Sequence, residues 1–485
     1  MRLADLLGGV DVLARHGGDD IDVTAVVNDS RDVSPGALFC CVSGSTSDGH
    51  DRAQAAIAAG AVALLCERHL DVDVPQVVVA DVRATMGAVA AALHGLPSSQ
   101  LLVVGITGTN GKTTTTHLLA AILAADGRVT GTIGNLNALP GGPPNTPEGP
   151  ALQSRLAALR DGGADTVVIE VSSLALSQGR VTGTRFALAA FTNLSPDHLD
   201  HHETMEAYFA AKARLFEPDL SERAVVNADD PRGRLLLDAA VIPTEAYSRA
   251  DATDVEGDLT GTTCTWRGTR LRIPLPGAYN LSNALCAATA AAALGVGTVV
   301  IARGLAGAGQ VSGRFEAIAP GGPVSVIVDY AHTPDGLQQL LAAVRSLVAS
   351  GEVHVVFGCG GDRDRTKRPV MGMLAARLAD HVVLTSDNPR TEDPEAIIDE
   401  VAAGAATVSG GASVVRQVDR REAIASAIRG AAAGDVVVIA GKGHETSQVV
   451  GVSELPFDDR VVAAEVLATI GMAAPAPPAD KDGDP

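Results

Sequence analysis

The segment Gly105-Ile106-Thr107-Gly108-Thr109-Asn110-Gly111-Lys112-Thr113-Thr114 stands between an apolar run, Leu101–Val104, and a helix-like run, Leu118–Ala125. A strand, a glycine loop and a helix in that order commit the flanking chain to an α/β arrangement, because the returning helix lays the next strand parallel to the first. The same unit builds an anion site. Glycines let backbone N–H groups approach phosphate oxygens, and the helix N-terminus adds positive potential. Lys112 supplies a charge and Thr113 a hydroxyl for Mg²⁺. The spacing departs from the strict G-x-x-x-x-G-K-[ST] pattern, since position 106 is Ile, but the core Gly108–Thr113 keeps the required parts. The bland alternative is an ordinary glycine-rich turn; a Lys-Thr pair at the helix start argues against it.

The rest of the chain extends this pattern into three segments. The first, residues 1–98, has short apolar runs (Val23–Val27, Ala61–Cys66, Gln76–Val79) and a helical stretch near Ala53–Ala59, and reads as a small mixed α/β domain ending at Leu96-Pro97-Ser98-Ser99. The second, residues 99–314, continues with Thr166–Val171, Phe186–Phe191 and Arg223–Val226 separated by helical stretches such as Thr204–Phe216, which predicts a mostly parallel sheet. Cys264–Leu275 reads as antiparallel strands and Asn280–Leu294 as an Ala-rich helix. The third, residues 315–472, repeats apolar runs at Val324–Val328, Val353–Phe357, His381–Leu384 and Val436–Ala440, a Rossmann-like doubly wound pattern. Residues 473–485 are Pro-, Ala- and Asp-rich and are expected to be a disordered tail.

Charge and cysteines exclude some functions. With 57 acidic against 37 basic residues and a formal charge of −20 in 485 residues, the chain lacks the basic face of a nucleic-acid binder or of a protein docking on anionic membranes. No stretch of about 18 apolar residues predicts membrane insertion. The opening residues, broken by Gly and Asp, do not read as a signal peptide. The six cysteines show no C-x-x-C spacing, so neither a disulfide framework nor a zinc site is expected, and a cytoplasmic location follows.

Ordered motifs then make the chain recognisable: GTNGKTT (108–114), EVSSLAL (170–176), TNLSPDHLDHH (192–202), AYFAAKARLF (207–216), PGAYNLSNALCA (276–287), VDYAHTPDGL (328–337), GCGGDRDRTKRPVMG (358–372), SDNPRTEDPEAI (386–397) and AGKGHE (440–445). In this order they resemble the Mur ligases over roughly residues 20–470. The resemblance implies an ATP-dependent carboxylate–amine ligase of peptidoglycan precursor synthesis, acting through an acyl phosphate on small-molecule substrates, as a monomer. It implies nucleotide contacts at Gly108, Thr109, Asn110, Gly111, Lys112, Thr113, Thr114, Asn280, Asn283, Arg314 and Asp329. It implies Mg²⁺ ligands at Thr113, Glu170 and His198, and a CO₂-derived carbamate on Lys212, which by sequence alone would pass for a solvated lysine. Catalytic roles are thereby expected for Lys112, Glu170, His198, Lys212 and Arg314.

The resemblance places a UDP-sugar dipeptide at Asn28, Ser30, Ser45, Thr46 and Ser47, and at Asn145, Thr146, Ser172, Gln178 and Arg180. Two positions depart from the family pattern. Asn145 stands where Thr is usual, and Leu174 stands in Ser-Ser-Leu-Ala-Leu where His is usual, so acceptor placement loses a polar contact. The amino acid to be added is read from Asp387-Asn388-Pro389-Arg390, with Arg363, Gly441 and Glu445 as further contacts. Diaminopimelate ends in an amine and a carboxylate, whereas lysine ends in an amine alone. A guanidinium holds the extra carboxylate by two parallel charge-assisted bonds, and would be left unpaired by lysine. Glu445 is expected to meet the distal ammonium. The alternatives are the same reaction with L-lysine, or a paralogue acting on another carboxylate.

Overall fold

The computed structural model describes residues 1–18, 20–44, 47–135, 145–320, 322–348 and 350–471; the expected tail, 473–485, lies outside them. The described chain divides into two compact units. One comprises Met1–Leu194, His201–Ser248 and Ala284–Gly304; the other comprises Ser195–Asp200, Arg249–Asn283 and the chain from Leu305 onward. The expected division at 98 falls inside the first unit.

The first unit holds two sheets. Strands β1 (Val12–His16), β2 (Ala25–Val27), β3 (Ala37–Cys40), β4 (Ala61–Cys66) and β5 (Gln76–Val79) pair in the order β1-β5-β4-β3-β2, with β1 antiparallel to the rest. The runs at 61–66 and 76–79 are the expected strands, whereas β1 and β3 carry no such expectation. The second sheet contains β6 (Leu102–Thr107), β7 (Thr130–Ile133), β8 (Thr166–Glu170), β9 (Leu188–Phe191), β10 (Ala224–Asn227) and β11 (Thr244–Tyr247) in the order β11-β10-β9-β6-β8-β7, all parallel. Every residue of β8 is buried, as an interior strand of a parallel sheet covered on both faces requires. Glycines let the two sheets' helices meet closely. A Cβ on Gly87, in the helix Val82–Leu93, would stand 2.4 Å from the Thr182 carbonyl, and one on Gly149, at the start of the helix Gly149–Asp161, 2.9 Å from the Gly87 Cα.

The second unit opens with an antiparallel sheet, β12 (Ala252–Asp258), β13 (Gly261–Trp266) and β14 (Thr269–Ile273). Its membership follows from packing: Leu259 and Tyr279 cover the apolar core formed by Phe315, Leu340, Leu341 and Val344. The main sheet contains β15 (Glu316–Ile318), β16 (Ser325–Asp329), β17 (Val353–Phe357), β18 (His381–Leu384), β19 (Ser413–Arg416) and β20 (Val436–Ala440) in the order β15-β16-β20-β17-β18-β19. Only β15 runs antiparallel in it. A hairpin of β21 (Ser447–Val450) and β22 (Ser453–Pro456) follows. In both parallel sheets the loops that carry the expected site residues leave the carboxyl ends of strands.

Candidate functional site

In the first unit the chain leaves β6 through Gly108 (φ 152°) and Gly111 (φ 85°) into the helix Lys112–Ala125. A Cβ at Gly108 would stand 1.9 Å from Thr192 Oγ1, so only glycine fits. The loop is braced by the end of β9: Thr109 N donates to the Asn193 carbonyl (2.9 Å), Asn110 N to Asn193 Oδ1 (2.9 Å), and Thr192 Oγ1 to the Asn110 carbonyl (2.6 Å). Lys112 Nζ donates to the carbonyls of Gly108 (2.9 Å) and Thr109 (2.8 Å), curled over its own loop.

Glu170, the last residue of β8, is buried beside this loop. Its carboxylate accepts from Thr113 Oγ1 (2.9 Å) and from Asn135 N (2.8 Å). Two of the expected metal ligands are thus adjacent. Lys212, on the helix Met205–Ala213, is 1% exposed; its Nζ donates to the Gly108 carbonyl at 2.8 Å and lies 4.7 Å from the centre of the Tyr208 ring. Tyr208, missed by sequence reasoning, also exchanges a 3.1 Å hydrogen bond with Thr109 Oγ1. The motif AYFAAKARLF held the signal, since Tyr208 and Lys212 are four apart and share a helix face.

Behind Glu170, Thr146 Oγ1 donates to the Glu170 carbonyl (2.7 Å) and accepts from Ser172 N (3.0 Å). Ser172 caps the helix Ser173–Ser177. Arg180 donates to the Thr146 carbonyl (3.1 Å) and to Gln178 Oε1 (2.7 Å), and pairs with Glu148 at 3.1 Å. Burial pulls Arg180 below the usual guanidinium range. Thr146, Ser172, Gln178 and Arg180 therefore form one cluster, adjoined by Asn145 in sequence. His202, missed in the sequence, sets Nε2 2.9 Å from Ser173 Oγ and stacks on Tyr208. Leu174 lies on the same short helix, partly buried. Asn28 and Ser30 follow β2 and are partly exposed, Ser47 is exposed, and Ser45 and Thr46 lie outside the described residues.

In the second unit His198 has φ 55° and a half-exposed ring, with Nε2 3.5 Å from Asp197 Oδ2. Asn280 and Asn283 are buried and joined at 3.3 Å. Asp329, at the end of β16, accepts from the backbone N–H of Phe315 (2.7 Å) and Ala331 (2.8 Å); burial pushes its carboxyl above the ordinary range. It thus fixes the turn that carries Arg314, whose guanidinium lies 4.4 Å over the Tyr330 ring.

The Asp387–Arg390 turn follows β18. Gly361 N donates to the Asn388 carbonyl (2.9 Å), and a Cβ there would stand 1.8 Å from the Pro389 carbonyl. On its other side Val449 N donates to Asn388 Oδ1 (2.9 Å), and Arg390 N donates to the Val449 carbonyl (3.1 Å). Arg390 (φ 51°) donates Nη1 to the Gly361 carbonyl at 2.7 Å. Burial, then the neighbouring Arg363 guanidinium, draws Arg390 below its ordinary range. Gly441 (φ 113°) admits Asp387, whose Oδ2 would lie 2.6 Å from a Cβ there.

Glu445 accepts from Asn388 Nδ2 (2.9 Å) and from Lys442 Nζ (2.9 Å). Lys442, fully buried, also donates to Asn388 Oδ1 at 3.1 Å. Sequence reasoning took Gly441 and Glu445 from this motif and passed over the lysine between them. Two further buried cations, also missed, hold the surrounding loops. Arg368 binds Glu392, Glu400 and the Gly360 carbonyl; Arg420 binds Asp459 and the carbonyls of Ser386 and Ala440. Their acidic partners are far away in sequence, so no motif signals them.

The first unit has a braced phosphate loop with a buried carboxylate beside it, and the second a turn at strand ends that carries Arg390 beside Arg363. A phosphate loop of this kind on one parallel sheet, with a second doubly wound sheet after it, is the arrangement of an ATP-dependent, ADP-forming carboxylate–amine ligase. Three family models match in succession along the chain. The Mur ligase family catalytic domain matches residues 22–96, the Mur ligase middle domain 106–291, and the Mur ligase glutamate ligase domain 313–443. The chain belongs to the Mur ligase family. A UDP-N-acetylmuramoyl-L-alanyl-D-glutamate–2,6-diaminopimelate ligase of Geobacillus thermodenitrificans is 44% identical, over 96% of this chain and 98% of its own. The enzyme of that name from Gloeobacter violaceus is 47% identical, over 94% and 97%. A solved structure of a ligase with the same name is similar at 34% identity and a TM-score of 0.68, over 97% of this chain and 99% of its own. Among the described residues no helix is long and apolar enough to cross a membrane.

Proposed function

We propose that this chain joins meso-2,6-diaminopimelate to UDP-N-acetylmuramoyl-L-alanyl-D-glutamate at the expense of ATP, in cytoplasmic peptidoglycan precursor synthesis, as a monomer with domain divisions near 98 and 314. The observation that carries the choice of amino acid is Arg390, half-buried beside Arg363 and fixed through Gly361 and Val449. Two neighbouring guanidiniums suit a substrate with two carboxylates, and lysine has only one.

The acceptor carboxylate attacks the γ-phosphorus of ATP, and ADP leaves. The diaminopimelate amine then attacks the acyl phosphate carbonyl, loses a proton, and expels phosphate. Positioning and charge neutralisation dominate such chemistry. Lys112 swings from its loop carbonyls onto the β- and γ-phosphates. Thr113 and Glu170 are oxygen donors of the hard kind that Mg²⁺ takes, and would hold it. When bound, it neutralises the phosphate oxygens. Lys212 as a carbamate, and His198, would serve the metal ions, and Asn280, Asn283, Arg314 and Asp329 would meet the nucleotide. The acceptor peptide lies at Asn145, Thr146, Ser172, Gln178 and Arg180, with the UDP end at Asn28, Ser30 and Ser45–Ser47.

ADP release measured with UDP-N-acetylmuramoyl-L-alanyl-D-glutamate, comparing diaminopimelate with L-lysine, tests the reading. Turnover with diaminopimelate is expected. No turnover with either refutes the reaction, and turnover with lysine alone refutes the role of Arg390.

A further inference from the structure

Away from these residues, Glu352, His354 and His381 are the one group of three among the described residues whose ligand atoms, one from each side chain, all lie within 4.8 Å of one another. The topology explains the juxtaposition. His354 on β17 and His381 on β18 are register partners in a parallel pair, so their side chains leave the same face of the sheet. Glu352 precedes His354 by two residues and shares that face. The imidazoles lie 4.4 Å apart, nearly parallel.

Each ring has one nitrogen already fixed. His354 Nε2 stands 3.2 Å from Asp435 Oδ2, and His381 Nδ1 2.7 Å from Ser413 Oγ. Asp435 is itself locked by the backbone N–H groups of Glu352 (2.8 Å) and Ala432 (2.7 Å). Oriented second nitrogens of this kind are what metal-ligating histidines have, because the outer partner fixes tautomer and ring plane. The other nitrogen of each ring then remains for a ligand. His381 Nε2 already lies 2.8 Å from Glu352 Oε2, so a proton now bridges a pair that a cation could bridge.

We propose that Glu352, His354 and His381 form a binding site for a divalent transition-metal ion such as Zn²⁺ or Co²⁺, separate from the Mg²⁺ chemistry of the ligase reaction. Two imidazoles are borderline donors, and with one carboxylate they form a set that favours such ions over Mg²⁺. Nitrogen ligands about 2.0–2.1 Å from a tetrahedral ion stand roughly 3.3 Å apart. The group closes to that span by movement of His381 and Glu352, whose side chains are partly exposed, while buried His354 stays on Asp435. The site sits at the amino ends of β17 and β18. The strand β17 alone separates it by about 10–13 Å from the loops at the carboxyl ends. The ion would thus tie two strands and their entry loops together without touching the reacting groups.

Untagged full-length protein, titrated with Co²⁺ in excess Mg²⁺ and followed by its visible d–d absorption, tests this. Wild type is expected to bind one Co²⁺ more than His381→Ala, and Glu352→Gln to bind that ion about tenfold or more weakly. Ligase turnover in Mg²⁺ alone should be unchanged in His381→Ala. Identical Co²⁺ isotherms and spectra in wild type and both variants would overturn the proposal. Glu352 is exposed, so its variant tests the site even if His381→Ala fails to fold.

Discussion

Lys212 Nζ donates to the carbonyl of Gly108, 2.8 Å away and 104 residues earlier in the chain. A lysine on one helix thereby contacts the turn that shapes the phosphate loop from another. It is also almost fully buried, 1% exposed, with Tyr208 beside it.

Replacing Lys212 by Ala should therefore remove most ligase activity, by roughly 10²–10⁴-fold in kcat. Short-chain carboxylic acids should restore part of it, because they bring a carboxylate into the space the carbamate would fill. Measured ADP release that is unchanged in Lys212→Ala, or unaffected by added acid, counts against carbamylation.

Glu170 is held so closely that its neighbour must be glycine. A Cβ at Gly134 would stand 2.3 Å from Glu170 Oε1. Gly134→Ala should push the carboxylate off Thr113 and raise the Mg²⁺ concentration needed for half-maximal rate by about tenfold or more. Glu170→Gln should do the same without moving the backbone. An Mg²⁺ titration of the rate compares them, and a Gly134→Ala curve that overlays wild type removes the close-packing argument.

The phosphate loop and the parallel strands were legible in the sequence because each follows from a local rule. Gly108 and Gly111 are required by backbone geometry, and β6, β8, β17 and β20 are mostly apolar and almost wholly buried. The strand β19 was not legible, since its four residues are all exposed and form the sheet edge. Nor was the membership of β12–β14 in the second unit, which depends on Leu259 reaching a core built from residues after Phe315. In the site, the family resemblance points to Glu170, and the structure sets its carboxylate against Thr113. Lys442, Arg368 and Arg420 could not be read, because buried cations are defined by partners that only the fold supplies.

Arg390→Ala should raise the KM for diaminopimelate by roughly 10²-fold while leaving that for ATP near its wild-type value. Arg390→Lys should recover little, because a lysine ammonium cannot make two parallel bonds to a carboxylate. Initial rates against each substrate separate the two constants. Equal losses for ATP and diaminopimelate would point to a disturbed loop instead.

Lys442 positions two groups, Asn388 and Glu445, that the proposed function sets against the amino acid. It bonds both Asn388 and Glu445, so Lys442→Met leaves two polar groups without their shared donor. Loss of stability of about 1–3 kcal/mol is expected, together with a higher KM for diaminopimelate. Pairing it with Glu445→Gln should cost less than the two single losses added, since the partners are coupled. Urea unfolding of the four proteins in this cycle checks the coupling, and strict additivity would refute it.

His444 supplies the pH dependence. Burial, followed by the nearby Arg314 and Arg460 guanidiniums, lowers its pKa from 6.5 to about 4. Its Nδ1 is buried with no hydrogen-bond partner among the described residues, and its ring centre lies 5.2 Å from that of Tyr330. In the folded protein the ring is therefore neutral at pH 7, whereas the unfolded chain begins to protonate it below pH 6.5. The unfolded state binds more protons between those values, so stability rises with pH there. The contribution is fully present above pH 6.5 and is lost as pH falls through about 4, on the order of 1–2 kcal/mol after allowing for the partly exposed ring. His444→Gln should flatten that part of the stability curve while other groups continue to titrate. Denaturation midpoints at pH 7.5, 6 and 5 for both proteins make the comparison. Parallel curves would show that His444 is not buried in its neutral form.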